Sequence, residues 1–269
     1  MRPGTNIEQV RSAFDGIADS FDDTYENDTT REIRNVVYTT AAALVRAKSR
    51  LLDVNCGTGI DALIYARMGY TVVGCDLSQK MIEQATRKRD LLQLDNVTFT
   101  VASFENLEKL PRMKFDLVTS NFGGLNCVSD LSIAAREIAG VTAPGGFFLG
   151  VVMPPVSLWE ILANALRGKW RQALRRLGNG APATGFKGKS FTVFYHSHKK
   201  IQNAFRPWFE PCRIRGLNVI SPPPHALRFS SRWTLFSRFL VRVDRFVAIL
   251  PFFRILGDHT MIVLRRNPL

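Results

Sequence analysis

The chain has 269 residues, 46% hydrophobic and 22% charged; this suits one large domain, or a domain with a substantial cap, and excludes a disordered or collagen-like chain. No apolar run approaches the ~18 residues of a membrane span, residues 1–20 hold no apolar signal-peptide core, and Cys56, Cys75, Cys127 and Cys212 form no CxxC pair, which sets aside structural zinc and a disulfide framework. The net charge of +13 is lopsided: residues 1–150 hold 16 Lys+Arg against 19 Asp+Glu, whereas residues 151–269 hold 20 against 4.

In chain order, residues 19–34 lead into a helix over residues 31–48, where Ile33, Val36, Val37, Thr40, Ala41 and Leu44 share one face. Residues 50–54 are a short apolar run ending in Asn55-Cys56-Gly57-Thr58-Gly59, a buried strand followed by a glycine turn. A helix over residues 61–68 follows, and Gly69 stops it. Residues 71–74 form a second strand closed by Cys75-Asp76, and Ser78 N-caps a helix reaching about residue 94. Then come strands over 97–101 and 115–120, a helix over 131–141, and a turn at Pro144-Gly145-Gly146 into a strand over 147–152. Apolar strands alternating with helices in this way build a doubly wound parallel α/β layer. The second half reads as a helical stretch over 158–177, a Gly/Pro-rich loop over 178–188, a short strand over 191–195, a helix over 199–209 and a strand over 213–220. Ser221-Pro222-Pro223-Pro224 stops that strand. A largely apolar, arginine-studded helix at about 226–256 and a strand over 259–265 complete the chain.

The densest signal is Asp53 to Gly59 together with Asp76, which lies 23 residues after Asp53. Glycines after a first strand let a ligand approach the backbone, and an acid ending the second strand can accept both hydroxyls of a ribose. A dinucleotide fingerprint would need a third glycine, but Ile60, Asp61 and Ala62 follow Gly59, and Asp61 would place negative charge where a pyrophosphate sits. A cationic ligand suits these acids better.

At these residues the chain resembles the class I S-adenosylmethionine (SAM)-dependent methyltransferases, in their small-molecule, type 11/25-like branch. Asp53-Val54-Asn55-Cys56-Gly57-Thr58-Gly59 resembles the first motif, with Asn55 where glycine is more usual. Asp76-Leu77-Ser78-Gln79-Lys80-Met81 resembles the D-x-S-x-x-M segment, and Ala143-Pro144-Gly145-Gly146 the turn before the fifth strand. Phe14-Asp15 through Tyr25 resembles the lead-in that folds over SAM. The resemblance implies a Rossmann-like, seven-stranded, mostly parallel sheet with helices on both faces, in which residues 213–223 and 259–265 supply antiparallel strands. An inserted, mainly helical basic cap accompanies it. It further implies SAM contacts from Asp53, Asn55, Cys56, Gly57, Gly59, Asp76, Leu77, Met81, Ser103, Phe104, Asn121 and Phe122, with S-adenosyl-L-homocysteine as product. Ser103 stands where an acid is usual. The organisation expected is a core with N-terminal lid over 1–152, a cap over 153–200, and completion of the sheet over 201–269.

Methyl transfer is an in-line displacement governed by alignment, and it needs a base only where the acceptor must lose a proton. His196, His198 and Tyr25 are the proton-handling candidates, with His225 at the mouth and His259 as a structural residue. No metal constellation is visible. The basic half implies an anionic partner. Arginines interleaved with Trp233, Phe236, Leu240, Val243 and Val247 at helical spacing suit an anionic membrane surface or a packed cap. Nucleic acid is the weaker alternative, because Ser120-Asn121-Phe122-Gly123 lacks the N/D-P-P-Y/F of amino-methylating enzymes. The expectation is a cytoplasmic methyltransferase, peripheral to the inner face of the membrane, acting on a small or lipid-like acceptor. An RNA methyltransferase, a non-catalytic SAM-fold subunit and a nicotinamide-dependent oxidoreductase are the alternatives.

Overall fold

A computed structural model describes residues 3–110, 113–178, 180–183, 186–224 and 226–268. The chain opens with α1 (Pro3–Ile17), a 3-10 turn, α2 (Phe21–Tyr25) and α3 (Asp28–Leu44). A capping box starts α3: Asn27 accepts Thr30 N–H, and Thr30 accepts Asn27 N–H. Then follow β1 (Arg50–Val54), α4 (Ile60–Arg67), β2 (Thr71–Asp76), α5 (Gln79–Leu91), β3 (Val97–Val101), β4 (Phe115–Ser120), α6 (Leu131–Val141) and β5 (Thr142–Val152). Ser78 caps α5 by accepting Met81 N–H. The second half holds α7 (Leu158–Ala165), α8 (Trp170–Ala173), β6 (Ala181–Pro182), β7 (Thr192–Val193), α9 (His198–Phe205), β8 (Phe209–Leu217), α10 (Leu227–Arg232), α11 (Thr234–Val247) and β9 (His259–Arg266).

Seven strands form one sheet in the order β3-β2-β1-β4-β5-β9-β8, while β6 and β7 make a separate ribbon. Period-two alternation sends Leu51, Leu117, Leu149 and Met261 to one face, under Val37 and Tyr65, and Leu52, Val118, Phe148 and Ile262 to the other, under Ile138 and Phe205. Both faces are therefore covered, as the continuous apolar strands predict.

Several boundaries differ from expectation. β5 and β8 both pair antiparallel with β9. Hence β9 alone runs against the sheet and β8 runs with it, rather than both being antiparallel. The stretch over 158–177 is broken at Gly168 (φ 70°) into α7 and α8. The expected helix at about 226–256 is two helices meeting at Trp233, followed by a 3-10 turn over Phe253–Ile255. β8 stops at Leu217 because Asn218 turns left-handed (φ 51°) and Asp244 then accepts Val219 and Ile220 N–H. α1 lies N-terminal to the first helix expected from the sequence.

Gly59 shows how tightly the turn after β1 is built. It takes φ 80°, and a Cβ there would lie 2.8 Å from Ala85 Cβ and 2.9 Å from the Phe99 ring. Gly59→Ala is expected to lower unfolding stability by about 2–3 kcal/mol, from left-handed strain plus overpacking. A urea midpoint unchanged from wild type would contradict this packing.

Candidate active site

The chain turns at once where β1 ends, with φ of 59° at Asn55 and 54° at Gly57. Cys56 N–H donates to the Cys75 carbonyl, and Gly57 N–H to Asp76 Oδ2 at 3.0 Å. Ser78 N–H donates to the other Asp76 oxygen at 2.8 Å. The carboxylate is thereby fixed at the carboxyl end of β2, with lone pairs left over for hydroxyl donors. Burial pushes its pKa up to about 6, against the lowering effect of the two N–H bonds.

Asn55 occupies the position where its resemblance family more often has glycine, and asparagine is a residue that tolerates left-handed φ. Its amide donates to the Asn121 carbonyl at 2.9 Å, and its Oδ1 accepts the Ser120 hydroxyl at 2.6 Å. The side chain thus ties the ends of β1 and β4. Gly124 makes room for it: a Cβ there would lie 2.0 Å from Asn55 Oδ1. Asp53 is buried. Its Oδ1 accepts Thr119 Oγ1 at 2.9 Å, while Oδ2 has no hydrogen-bond partner. Burial, then the charge of Asp61, hold its pKa well above the carboxylate range. A buried carboxylate oxygen without a donor suits a ligand that brings a cationic group, so these residues fit SAM. Burial raises the Cys56 thiol, which keeps it protonated and inert.

Asp61 sits in the first turn of α4, where the helix dipole favours negative charge. Arg34 pairs with it, the Tyr38 hydroxyl donates to it, and Asn121 Nδ2 donates to it at 3.1 Å. The Asp61 carboxylate is thereby held by Arg34, Tyr38 and Asn121. Arg34 also lies over the Phe122 ring at 4.6 Å, and Phe122 meets His259 edge-on at 5.9 Å. Nothing in the sequence pattern pairs Arg34 with Asp61.

The N-terminal helices lie across the same edge of the sheet. Asp15 accepts the Ser78 hydroxyl, Asp22 accepts the Thr58 hydroxyl and pairs with Lys88, and Gln84 donates to Asp19. Phe21 comes within 3.9 Å of where a Gly57 Cβ would be and packs on Tyr25 at 4.8 Å. Met81 is fully buried beneath this segment with Ile17 and Ala18. Leu77 packs beside Val10 and Ala13. The lid carboxylates are contacts that sequence reasoning missed, although their spacing in an acidic lead-in was visible.

The other expected residues are less convergent. Ser103 is held in a local turn, its N–H donating to Asn106 Oδ1 at 2.7 Å, and Phe104 turns into the core with Leu107 and Ala134. His196 is buried, its Nε2–H donating to the Val128 carbonyl at 2.8 Å, and burial lowers its pKa. His198 opens α9, and burial, then Arg254, lower its pKa. His225 lies outside the described residues. His259 Nδ1 is 3.1 Å from Asp258 Oδ2. Asn126 is a further residue that sequence reasoning did not single out. Its amide donates to the Met153 and Phe194 carbonyls, and its Oδ1 accepts Met153 N–H, joining β5 to the cap.

Between α1 and the segment over residues 186–195 lies an apolar cluster in which Val10, Ala13, Phe191 and Val193 are buried and Phe14, Leu77, Met153 and Tyr195 pack against them. Leu77 and Met153 directly follow the carboxyl ends of β2 and β5, the edge at which open α/β sheets bind ligands. The segment that follows β5 is anchored by buried charge. Arg176 bonds Glu160 Oε2 at 2.7 Å and Asp258 Oδ1 at 2.7 Å, all three side chains being 5% exposed or less.

Residues 52–150 match a family model described as a methyltransferase domain. Among curated relatives, the chain is 31% identical over 160 residues to the demethylmenaquinone methyltransferase of Paenarthrobacter aurescens, covering 58% of this chain and 60% of that one. The chain thus spans less than two thirds of the length of that relative. Among solved structures, the DhpI–SAH complex superposes with a TM-score of 0.60 at 17% identity, covering 98% of each chain. The cyclase SpnF superposes at 0.64 and 17% identity, covering 97% of this chain and 96% of that one. At such identities the likeness is one of fold.

Proposed function

We propose that residues 52–150, which match a methyltransferase domain model, form a class I SAM-dependent methyltransferase domain, and that the protein methylates a small, lipid-like hydrophobic acceptor, releasing S-adenosyl-L-homocysteine. The observation that carries the acceptor class is the apolar cluster between lid and cap, beside the strand ends that carry the glycine turn. The similarity to a demethylmenaquinone methyltransferase accords with it. Bound SAM supplies an electrophilic methyl carbon on a sulfonium leaving group. Asp76 accepts the ribose hydroxyls, Asp53 complements the positive charge, and the glycine turn lets the ligand approach the backbone. The lid, latched by Asp15 and Asp22, excludes water, and the cap aligns the acceptor, so that orientation supplies most of the acceleration. Where the acceptor carries a proton, the candidates to take it are Tyr25, His196 and His198. In His196, donation from Nε2 leaves Nδ1 as the acceptor nitrogen. We place this chemistry at the cytoplasmic face of a membrane, where such acceptors partition.

The raised pKa of Asp76 gives a pH signature. Ribose binding needs the carboxylate, which is populated above about 6 and lost as pH falls through that value. SAM affinity measured by calorimetry is expected to weaken about tenfold between about pH 7 and pH 5. A flat profile would remove Asp76 from the ribose site. The reaction itself is tested with methyl-labelled SAM, purified protein and a total cell extract. Label in the organic phase supports the acceptor class, and label in RNA overturns it.

A further inference from the structure

Two helical segments of the basic half are inside out. In α7 the side chain buried against the fold is Glu160, whereas Leu162 and, just past the helix, Leu166 are exposed, Leu166 at 88%. In the α8 segment Ala173 and Arg176 are buried, while Trp170, Leu174 and Leu177 are exposed. α11 repeats the pattern on a full helix. Its buried residues are Ser237 and Asp244, and Asp244 accepts Val219 and Ile220 N–H. At helical spacing, Phe236, Phe239, Val243 and Phe246 form a stripe, flanked by Arg238, Arg242 and Arg245. Within that stripe Phe236, Phe239 and Phe246 are half or more exposed, Phe246 at 74%. Trp159 meets Phe229 at 5.1 Å and Phe229 meets Phe236 at 6.5 Å, which joins α7, α10 and α11 into one surface.

Charge narrows the occupant. Of the four acids in residues 151–269, Glu160, Asp244 and Asp258 are buried, and Glu210 lies at the start of β8, at the opposite edge of the sheet. A second copy of this face would bring like charges together. Nucleic acid would use the arginines and leave the exposed leucines and phenylalanines in water. An anionic bilayer satisfies both, with aromatic and aliphatic side chains in the acyl boundary and arginines at the headgroups.

We propose that α7, α8, α10 and α11 form a docking platform for an anionic lipid bilayer. Its position gives it a purpose. β5 runs parallel to β1 and β4, and β8 runs with β5, so α7 and α10 both follow strands that end at the edge bearing the glycine turn, and β9 starts there. Docking would hold that edge of the sheet against the lipid phase, from which a hydrophobic acceptor enters. The proposal rests on the lipid-like acceptor reading for this purpose, though not for its geometry.

The test is co-sedimentation of the full chain with vesicles of phosphatidylcholine alone or mixed with phosphatidylglycerol, with no methyl acceptor added. Binding is expected on the anionic vesicles only. Phe239→Asp with Phe246→Asp should weaken it about a hundredfold, and Arg238→Gln or Arg242→Gln about fivefold each. SAM affinity should stay unchanged in every variant, which shows that each is folded. Wild type that fails to sediment, or that binds neutral vesicles equally, overturns the platform. So does binding that survives the double aspartate variant, or a dimer in sedimentation velocity that the same variant dissolves. Methylation of extracted lipids in detergent, assayed separately, reports on the acceptor alone, so the two readings fail independently.

Discussion

Asp76→Ala will weaken SAM binding by about two to three orders of magnitude while leaving the fold intact. Two hydroxyl-to-carboxylate hydrogen bonds, each worth about 1.5–3 kcal/mol when one partner is charged, are lost together. The side chain is only partly buried, and it accepts two backbone N–H groups, from Gly57 and Ser78, at a turn that other bonds also hold. The Cys56 N–H to Cys75 carbonyl bond and the Ser78 cap on α5 both survive the substitution. Titration calorimetry with SAM, beside a thermal melt of the free protein, separates the two effects. Affinity within about threefold of wild type, in a protein that still folds, would show that the ribose is held elsewhere. Asp76→Asn is the finer probe. It keeps the shape and one acceptor oxygen, so it should fall between alanine and wild type and lose the dependence on pH.

Arg176→Met should be the most destabilising of the single changes considered, by about 3–5 kcal/mol, because it removes the buried positive charge that Glu160 and Asp258 share. Arg176 bridges Glu160 on α7 to the Asp258 side chain and carbonyl just before β9. Methionine replaces much of the volume but none of the charge. Arg175 is the internal control: it also pairs with Glu160, but its side chain is 47% exposed. Arg175→Met should therefore change stability by about 1 kcal/mol or less. Urea unfolding of both variants decides the matter. Equal midpoints would mean that the Glu160–Arg176–Asp258 bridge does not hold the cap. Glu160→Gln combined with Arg176→Met should recover part of the loss, since one of the two buried carboxylates is then neutral.

The parallel centre of the sheet was legible in the sequence because β1, β2 and β4 are short, mainly apolar runs bounded by a polar or glycine turn, as at Leu51–Val54 before Asn55. A strand buried on both faces has no other composition available to it. The glycine turn after β1 was legible for a related reason. Left-handed φ values admit few residue types, so Asn55, Gly57 and Gly59 announce the turn, and Asp76 follows at the distance that one βαβ unit imposes. Pairings between distant segments were not legible. Arg34 reaches Asp61 across 27 residues and Arg176 reaches Asp258 across 82, and ion pairs carry no periodicity. The inside-out helices were misleading for a sharper reason. An amphipathic pattern states that two faces differ, and it does not state which face turns inward. On α11 the apolar stripe suggested a packed cap as readily as a lipid contact.

By itself, then, the sequence determined the α/β layer, the glycine turn with its paired acids, and the division of charge between the two halves. All three follow from local chemistry: which side chains water rejects, which residues tolerate left-handed φ, and how many charges each segment carries. The tertiary structure alone decided that β8 runs with the parallel strands, that Asp53 keeps a buried oxygen without a donor, and that α11 turns Asp244 inward and Phe246 outward. Each of these depends on what a segment meets across the fold, and a single side chain's chemistry cannot specify its neighbour.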